Sequence, residues 1–326
     1  MSGGWLNQET VTVSGGDAFV HATVLADEAM QYLAPRAGAV YCDATLGGGG
    51  HAQRILEASA PDGRLVGIDR DLTALAAART RLERFGDRVT LVHGRFGDAR
   101  KILGGLGVVP IDGFMLDVGV SSPQLDRAER GFSFMREGPL DMRMDPSSGE
   151  SARALLERVS VDELADLLRT YGEERFAGRI ARRIKEEIEA GGLQTTTELA
   201  ALVAHAVPTR ERSKDPATRT FQALRIVVND ELGELERFLA DFHELLKPGG
   251  RVVVIAFHGL EDGLVKNRFR DLSRDPGLPH DVAEKMGLKP TADLKLLTRK
   301  PVWASEAELA ANPRSRSARL RAAERS

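Results

Sequence analysis

The length, composition and charge of this chain are those of an ordinary globular protein. Of its 326 residues, 42% are hydrophobic and 29% charged, and the formal net charge is −3. These values exclude a disordered or fibrous chain and allow one or two domains. The lone cysteine, Cys42, excludes an intramolecular disulfide and favours the reducing cytoplasm. Residues 1–19 contain no basic residue and no apolar run, so we expect a flexible tail there, not a signal peptide. We expect no membrane span.

The first third of the chain alternates between predicted strands and predicted helices. Apolar residues spaced by three and four predict helices at 51–60 and 72–85. Short apolar runs predict strands at 39–46, 65–69, 89–93 and 111–118. Because strands that alternate with helices pair in parallel through crossovers, this region predicts a doubly wound α/β sheet.

The pattern changes after the fourth strand. Residues 121–146 show little periodicity, which is typical of a functional loop. Only helical patterns follow, at 161–169, 173–190 and 197–206. Strand patterns return at 251–257 and again at 294–299 and 318–322. We expect Lys247-Pro-Gly-Gly, just before the first of these strands, to end a helix. We therefore expect a core in two parts, 20–145 and 216–326, with a helical domain inserted at 146–215.

A glycine-rich loop follows the first predicted strand. It runs from Asp43 to His51 and contains four consecutive glycines, which allow the backbone to approach a ligand closely. Asp69 ends the next strand, 22 residues after Gly47, where a carboxylate can accept the hydroxyl groups of a ribose. The pattern predicts an adenosine-type cofactor. The same glycines also fit a dinucleotide fingerprint, so NAD stays open as an alternative at this point.

A second polar motif follows the fourth strand. Asp117 ends that strand, and Ser121, Ser122, Pro123 and Gln124 form the turn after it. Ligands of open α/β sheets bind outside the carboxyl ends of the strands, where the strand order reverses. The first and fourth strands flank that position, so we expect this turn to face the reactive end of the cofactor.

Several long and unusual motifs run through the chain from about residue 20 onward. They include the glycine loop, Leu116-Asp-Val-Gly-Val-Ser-Ser-Pro-Gln124, Arg130-Gly-Phe-Ser-Phe-Met135, Gly138-Pro-Leu-Asp-Met-Arg-Met-Asp145 and Asn312-Pro-Arg-Ser-Arg-Ser317. In these motifs the chain resembles the bacterial 16S rRNA (cytosine-N4)-methyltransferase family of the RsmH or MraW type. The resemblance implies a Rossmann-like class I methyltransferase fold with S-adenosylmethionine as cofactor. It also implies a cytosine of the ribosomal decoding region as substrate, met on the assembled small subunit.

The resemblance also assigns roles to individual residues. It implies that Gly49, Gly50 and His51 hold the methionine end of the cofactor and that Asp69 holds the ribose. Phe96 and Asp117 flank the adenine, and Gln124 completes the site. The chain departs from the family between residues 256 and 263, where two hydroxyl groups and one guanidinium are missing. This departure leaves His258 as the catalytic candidate of that segment, with a structural core histidine as the alternative.

Methyl transfer to an exocyclic amine needs positioning more than it needs a strong base. Our candidates for accepting the N4–H bonds are the hydroxyl groups of Ser121 and Ser122 and the carbonyl before Pro123. The alternative is that this turn only shapes the cofactor pocket. Phe132 and Phe134 are candidates for stacking on the target base, although buried core positions are the favoured explanation for both. The histidines show no metal-ligand spacing, and we predict no metal.

The carboxyl-terminal part of the chain carries the basic residues that RNA binding requires. From residue 251 onward there are 15 Lys and Arg against 10 Asp and Glu. We expect Arg314, Arg316, Arg319 and Arg321 to contact RNA phosphates, with a solvated surface segment as the alternative. The predicted partner is 16S rRNA within the small ribosomal subunit, and a homodimer is left open. Two other functions stay open, a cofactor-binding assembly factor without turnover and an NAD-dependent oxidoreductase.

Overall fold

A seven-stranded sheet forms the centre of the molecule. The computed structural model describes residues 23–207, 215–274 and 292–326, so the predicted tail at 1–19 lies outside the described residues. The strands are β1 (Val40–Asp43), β2 (Arg64–Asp69), β3 (Val89–His93), β4 (Ile111–Asp117), β5 (Leu246–Ala256), β6 (Leu294–Leu296) and β7 (Arg319–Arg325). Their order across the sheet is β3-β2-β1-β4-β5-β7-β6.

The first five strands are parallel, and the two closing strands reverse direction at one edge. β1 pairs in parallel with β2 and β4, β2 with β3, and β4 with β5. β7 runs antiparallel to both β5 and β6. The strand order reverses between β1 and β4, as the sequence predicted. The doubly wound α/β fold and the class I methyltransferase sheet are therefore confirmed.

Helices cover both faces of the sheet. Before β4 they are α1 (Ala26–Leu33), α2 (Gly50–Ala58), α3 (Leu72–Leu82) and α4 (Ala99–Gly105). After β4 they are α5 (Ser122–Asp126), α6 (Ala152–Arg158), α7 (Val161–Gly172), α8 (Ala177–Glu189), α9 (Thr196–Ala206), α10 (Ala217–Asn229), α11 (Glu231–Asp241), α12 (Gly259–Leu272) and α13 (Glu306–Ala311). Among the described residues, no helix is both long and apolar enough to cross a membrane.

The alternation of side chains along the central strands produces two hydrophobic layers. Phe114 and Leu116 of β4 pack on one face of the sheet with residues of α4, α11 and α12. Met115 between them points to the other face and packs with α1, α2 and α3. Because β4 is buried on both faces, its residues from Gly113 to Leu116 are all apolar and lack the alternation of a half-exposed strand.

A third hydrophobic cluster belongs to the helices between β4 and β5. It joins buried residues of α6, α7, α8 and α9 with apolar residues of α10. It also takes in Phe132, Leu140, Met142 and Met144 from the long segment after β4, which contains the short helix α5. This segment is thus fixed in place by apolar side chains that pack into the helical core. The predicted boundaries at 146 and 215 remain a proposal.

One predicted helix end is wrong. Lys247-Pro-Gly-Gly does not end a helix, because α11 ends at Asp241, a short 3₁₀ turn follows, and β5 already begins at Leu246. The register between β4 and β5 shifts around Ile111, and Gly249 has a φ of 76°. An irregularity of this kind accommodates proline and glycine within a strand, which the local sequence pattern cannot reveal.

Candidate active site

A cavity of about 450 Å³ lies at the carboxyl ends of the strands, between the sheet and α10. Of the seven predicted cofactor residues, six contribute to its lining: Gly50, His51, Asp69, Phe96, Asp117 and Gln124. Ser121 and Ser122 also line the cavity, whereas Gly49 and Pro123 are not among its lining residues. The fold thus gathers most of the residues that the resemblance implied into one site.

The glycine loop is held in shape by its own backbone and by close packing. Gly47 and Gly49 have φ values of 52° and 78°, which residues with a Cβ rarely adopt. A Cβ on Gly49 would meet Leu82 of α3 at 3.3 Å, and one on Gly50 would lie 2.1 Å from Oγ1 of Thr23. Gly49 therefore faces α3, while Gly50 begins α2 at the wall of the cavity.

Asp69 organises the glycine loop from the end of β2. One carboxylate oxygen accepts the backbone N–H of Gly47 at 2.7 Å, and the other accepts that of Asp71 at 2.8 Å. Burial raises the pKa of the Asp69 carboxyl, and these two bonds oppose that rise. A carboxylate oxygen can accept a second hydrogen bond, so Asp69 retains acceptor sites toward the cavity.

Three side chains beside the glycine loop have buried polar atoms without hydrogen-bond partners among the described residues. These atoms are Oδ2 of Asp43, Oδ1 of Asp117 and both ring nitrogens of His51. Nε2 of His51 lies 3.7 Å from Oδ2 of Asp117, beyond hydrogen-bonding distance. Burial raises the pKa of Asp43 to about 7, and the nearby His51 opposes this rise. Unsatisfied carboxylates of this kind fit a ligand that brings positive charge and N–H donors, as S-adenosylmethionine does.

Gln124 ties the turn after β4 to the helix after β2. Its Oε1 accepts the backbone N–H of Ser121 at 2.9 Å, and its Nε2 donates to Oδ2 of Asp71 at 3.0 Å. Arg130 donates to the same Asp71 oxygen at 2.8 Å, and Asp71 caps α3 through the backbone N–H of Thr73. Since both ends of the Gln124 amide have protein partners, Gln124 positions the reaction turn relative to Asp71.

A polar cluster on the opposite wall of the cavity was not predicted from the sequence, apart from His258. Arg225 of α10 makes two parallel bonds to Glu231, with distances of 2.8 and 2.9 Å. His258 caps α12, and its Nε2 lies 3.0 Å from Oε1 of the fully buried Glu261. No local pattern distinguishes Arg225 or Glu231 from other helical charges, because only the packing of α10 and α11 brings them to the cavity.

Among the described residues, one group has the composition of a metal site. Candidate ligand atoms of Glu231, His258 and Glu261 all lie within 4.8 Å of one another. The bidentate pairing with Arg225 already neutralises Glu231, however, and the backbone N–H of Glu261 is directed at Nδ1 of His258 at 3.4 Å. That contact places the ring hydrogen on Nε2, which disfavours Nε2 as a metal ligand. The absence of a metal stays a prediction.

The two phenylalanines after the reaction turn occupy different environments. Phe132 is only 6% exposed and belongs to the helical core, with the Arg130 guanidinium 5.8 Å from its ring. Phe134 is half-buried and meets Phe221 edge-on at 4.9 Å. Both rings line the cavity. The core interpretation therefore explains Phe132, and Phe134 is the better candidate for contact with a base.

The carboxyl-terminal arginines do not form a uniform basic surface. Arg314 lines the cavity and pairs with Asp126 of α5, and Arg316 is exposed on the same turn. Arg321 lies in β7, is 7% exposed and makes two bonds to Asp262 at 2.6 and 3.1 Å. The expectation that Arg321 contacts a phosphate is wrong, because its guanidinium is buried and already paired through two bonds with Asp262.

Comparison with known proteins identifies the family. The model of the MraW methylase family matches residues 18–326. The chain belongs to the MraW methylase family. It is 53% identical to the ribosomal RNA small subunit methyltransferase H of Geotalea uraniireducens, over 94% of this chain and 99% of that protein. The protein of the same name from Syntrophus aciditrophicus is also 53% identical, with 94% and 97% covered. The family predicted from the sequence motifs is confirmed.

A solved structure that the chain resembles is much more distant in sequence. An rRNA methylase from Streptococcus thermophilus is 11% identical with a TM-score of 0.37, over 92% of this chain and 93% of that chain. A likeness at this level says nothing about chemistry. Membership of the MraW methylase family decides against the NAD-dependent oxidoreductase that the glycine loop alone left open.

Proposed function

We propose that this protein transfers a methyl group from S-adenosylmethionine to the exocyclic N4 amine of a cytosine in 16S rRNA. The observation that carries the proposal is the cavity at the strand ends, in a chain that belongs to a methylase family. Beside the glycine loop, Asp43 and Asp117 have buried carboxylate oxygens without partners among the described residues, and the cavity lining also includes arginines and aromatic rings. The substrate is the small ribosomal subunit at its decoding region, and the protein acts in the cytoplasm. A homodimer stays open.

The cofactor lies along the glycine loop in this proposal. Asp69 accepts the ribose hydroxyls with its remaining acceptor sites, and Phe96 and Asp117 flank the adenine. Gly49, Gly50 and His51 form the end of the loop that takes the methionine part. Gly49 acts there through the shape of the backbone, since it faces α3. Gln124 completes the site by holding the reaction turn against Asp71.

The reaction turn presents oxygen atoms to the amine. When bound, the cofactor supplies an electrophilic methyl group on a positively charged sulfur. The N4 lone pair of cytosine is delocalised into the ring, so the nitrogen needs acceptors that favour its pyramidal form as the bond develops. The Ser121 and Ser122 hydroxyls and the Ser122 carbonyl before Pro123 provide such acceptors. The amine loses its proton after transfer, so no strong base is required.

The cysteine content favours an amine over the carbon C5 of a pyrimidine. Methylation at C5 generally requires a thiolate that attacks the ring. Cys42 is the only cysteine of the chain, and it is fully buried inside β1. Burial raises its pKa well above the usual range, which keeps the thiol protonated and unreactive.

The proposal is tested by incubating the protein with S-adenosylmethionine and small ribosomal subunits that lack the modification. We expect N4-methylcytidine in the digested RNA, measured by mass spectrometry, and we expect the Cys42→Ala variant to give the same product. If 5-methylcytidine or a ribose-methylated nucleoside is the main product, the proposal is wrong. If the cofactor binds but no methyl group is transferred, the protein is an assembly factor without turnover.

A further inference from the structure

Trp303 is an exposed aromatic residue held in a fixed place beside the sheet. Half of its surface is accessible to solvent. The preceding residue, Val302, exchanges two backbone hydrogen bonds with Leu320 of β7, each 2.9 Å long. The Arg319 guanidinium carbon lies 5.1 Å from the centre of the Trp303 ring. A large exposed indole with a cation on its ring is a surface on which a further planar group can stack.

The positive charge of Arg319 is incompletely neutralised. Its nearest carboxylate is Asp262, at 3.9 Å from Nη1, and Asp262 already makes two short bonds to Arg321. One carboxylate therefore faces two guanidinium groups. The Nε of Arg319 is also buried without a hydrogen-bond partner among the described residues. An additional anion would balance this charge.

The Trp303 surface lies next to the mouth of the cavity. Nη1 of Arg319 is 3.8 Å from the position that a Cβ on Gly259 would occupy, and Gly259 follows His258 of the cavity wall. On the other side, the exposed Arg316 shares a short turn with Arg314 and Ser317, which also line the cavity. A strand whose base enters the cavity would therefore pass over this surface.

We propose that Trp303, Arg319 and Arg316 bind an unpaired nucleotide that flanks the methylated base. The flanking base stacks on the indole, and its phosphate lies against Arg319 and Arg316. Stacking on an aromatic side chain tolerates any base, while the charge supplies affinity without sequence preference. The inference rests on the proposed function, because it takes single-stranded RNA as the occupant of this surface.

The two tryptophans of the chain, Trp5 and Trp303, allow a direct test. The Trp5→Phe variant leaves Trp303 as the only indole. Titration of this full-length variant with a short single-stranded oligocytidylate should quench its fluorescence to saturation. The matched Trp303→Phe variant, in which only Trp5 reports, should bind the same RNA without that quenching. If RNA binds to the Trp5→Phe variant with no change in fluorescence, the inference is overturned.

Affinity and salt dependence provide the second measurement. Trp303→Ala should weaken binding of the same RNA roughly 5- to 100-fold, and Trp303→Phe should recover most of the loss because phenylalanine still stacks. Arg319→Ser should reduce the slope of log affinity against log salt by about 0.7. Lys101→Ser is the matched control, since Lys101 is an exposed cation on α4 away from the cavity lining, and its slope should match that of the wild type.

The outcome is separable from that of the proposed function. Methyl transfer to small ribosomal subunits is measured in parallel with wild-type protein and with the Trp5→Phe variant. Normal transfer without quenching overturns the nucleotide surface and leaves the methyltransferase function intact. If RNA quenches the fluorescence of the Trp5→Phe variant but no methyl group is transferred to any RNA, the result supports the nucleotide-binding surface and contradicts the proposed methyltransferase function. Equal affinity of wild-type protein and a folded Trp303→Ala variant also overturns the surface.

Discussion

The two walls of the cavity differ in how their charges are arranged. Beside the glycine loop, Asp117 lines the cavity and Asp43 ends the neighbouring strand β1, and each has a buried carboxylate oxygen without a partner among the described residues. On the opposite wall the carboxylates of Glu231 and Asp126 are paired with Arg225 and Arg314. A wall with unpaired acids favours a ligand that brings positive charge. A wall that presents arginine guanidinium groups favours an anion that can replace their carboxylate partners. The cofactor and the RNA have these opposite requirements.

The largest expected effect comes from the wall beside the glycine loop. Asp69→Ala removes both bonds that hold the loop, at Gly47 and Asp71, together with the proposed ribose contact. At roughly 1.5–3 kcal/mol for each bond to a charged group, the loss of two bonds to the ribose hydroxyls should weaken cofactor binding by about 3–6 kcal/mol. Calorimetric titration with S-adenosylmethionine measures this change. Asp62→Ala is the matched control, because Asp62 also accepts a backbone N–H, that of Gly38, but lies outside the cavity. Unchanged affinity in a folded Asp69→Ala protein would contradict the assignment.

A smaller effect should appear in the pH dependence of stability. Asp43 has a pKa raised by burial to about 7, against 3.8 for the free side chain. The folded state therefore keeps a proton that the unfolded state loses, and stability falls as pH rises from about 4 to 7. Asp43→Asn removes this dependence, so its stability relative to the wild type should rise from pH 5 to pH 8, by about 2.6 kcal/mol.

Melting temperatures of wild type and Asp43→Asn across this pH range provide the measurement. Cys42→Ala is the control from the same strand, because the Cys42 pKa lies well above the range and its difference from wild type should not vary with pH. A stability difference between wild type and Asp43→Asn that stays constant from pH 5 to pH 8 would show that Asp43 remains ionised in the fold.

The smallest expected effect on stability concerns the opposite wall. Arg314 and Asp126 form a pair in which both side chains are about half exposed, and such pairs contribute less than about 1 kcal/mol. Arg314→Ser should nevertheless reduce the salt slope of RNA binding by about 0.7–0.9, and Asp126→Asn should strengthen RNA binding by releasing Arg314. Cofactor affinity should not change in either variant. A parallel loss of cofactor and RNA affinity would show that the two walls are not independent.

The wall beside the glycine loop was predictable because its residues are close in sequence and lie at strand ends. Asp43, Asp69 and Asp117 end β1, β2 and β4, and the alternation of strands and helices is sufficient to place such ends together. The glycines carry their own signal, since positions with positive φ favour glycine. Local patterns were therefore sufficient to predict the doubly wound sheet and to place the proposed cofactor residues at the ends of its strands.

The opposite wall could not be predicted in the same way. Arg225 and Glu231 have the appearance of surface charges in a helical sequence, and only tertiary packing of α10 and α11 makes them a buried pair beside the cavity. Gln124 was assigned to the cofactor from the family motif. Its link to Asp71, 53 residues away, depends on how the reaction turn packs against α3. Contacts between segments that are distant in sequence produce no periodic pattern from which they could be predicted.

The helical core has a consequence for attempts to shorten this protein. Its apolar residues come from the inserted helices and also from flanking segments, with Phe132 and Leu140 on one side and Phe221 and Leu224 on the other. Deleting residues 146–215 would leave those four side chains without their packing partners. The truncated chain would expose these apolar side chains to solvent beside the cavity, and an exposed apolar patch of this kind promotes aggregation. A minimal catalytic fragment therefore has to retain the insertion or replace those flanking residues with polar ones.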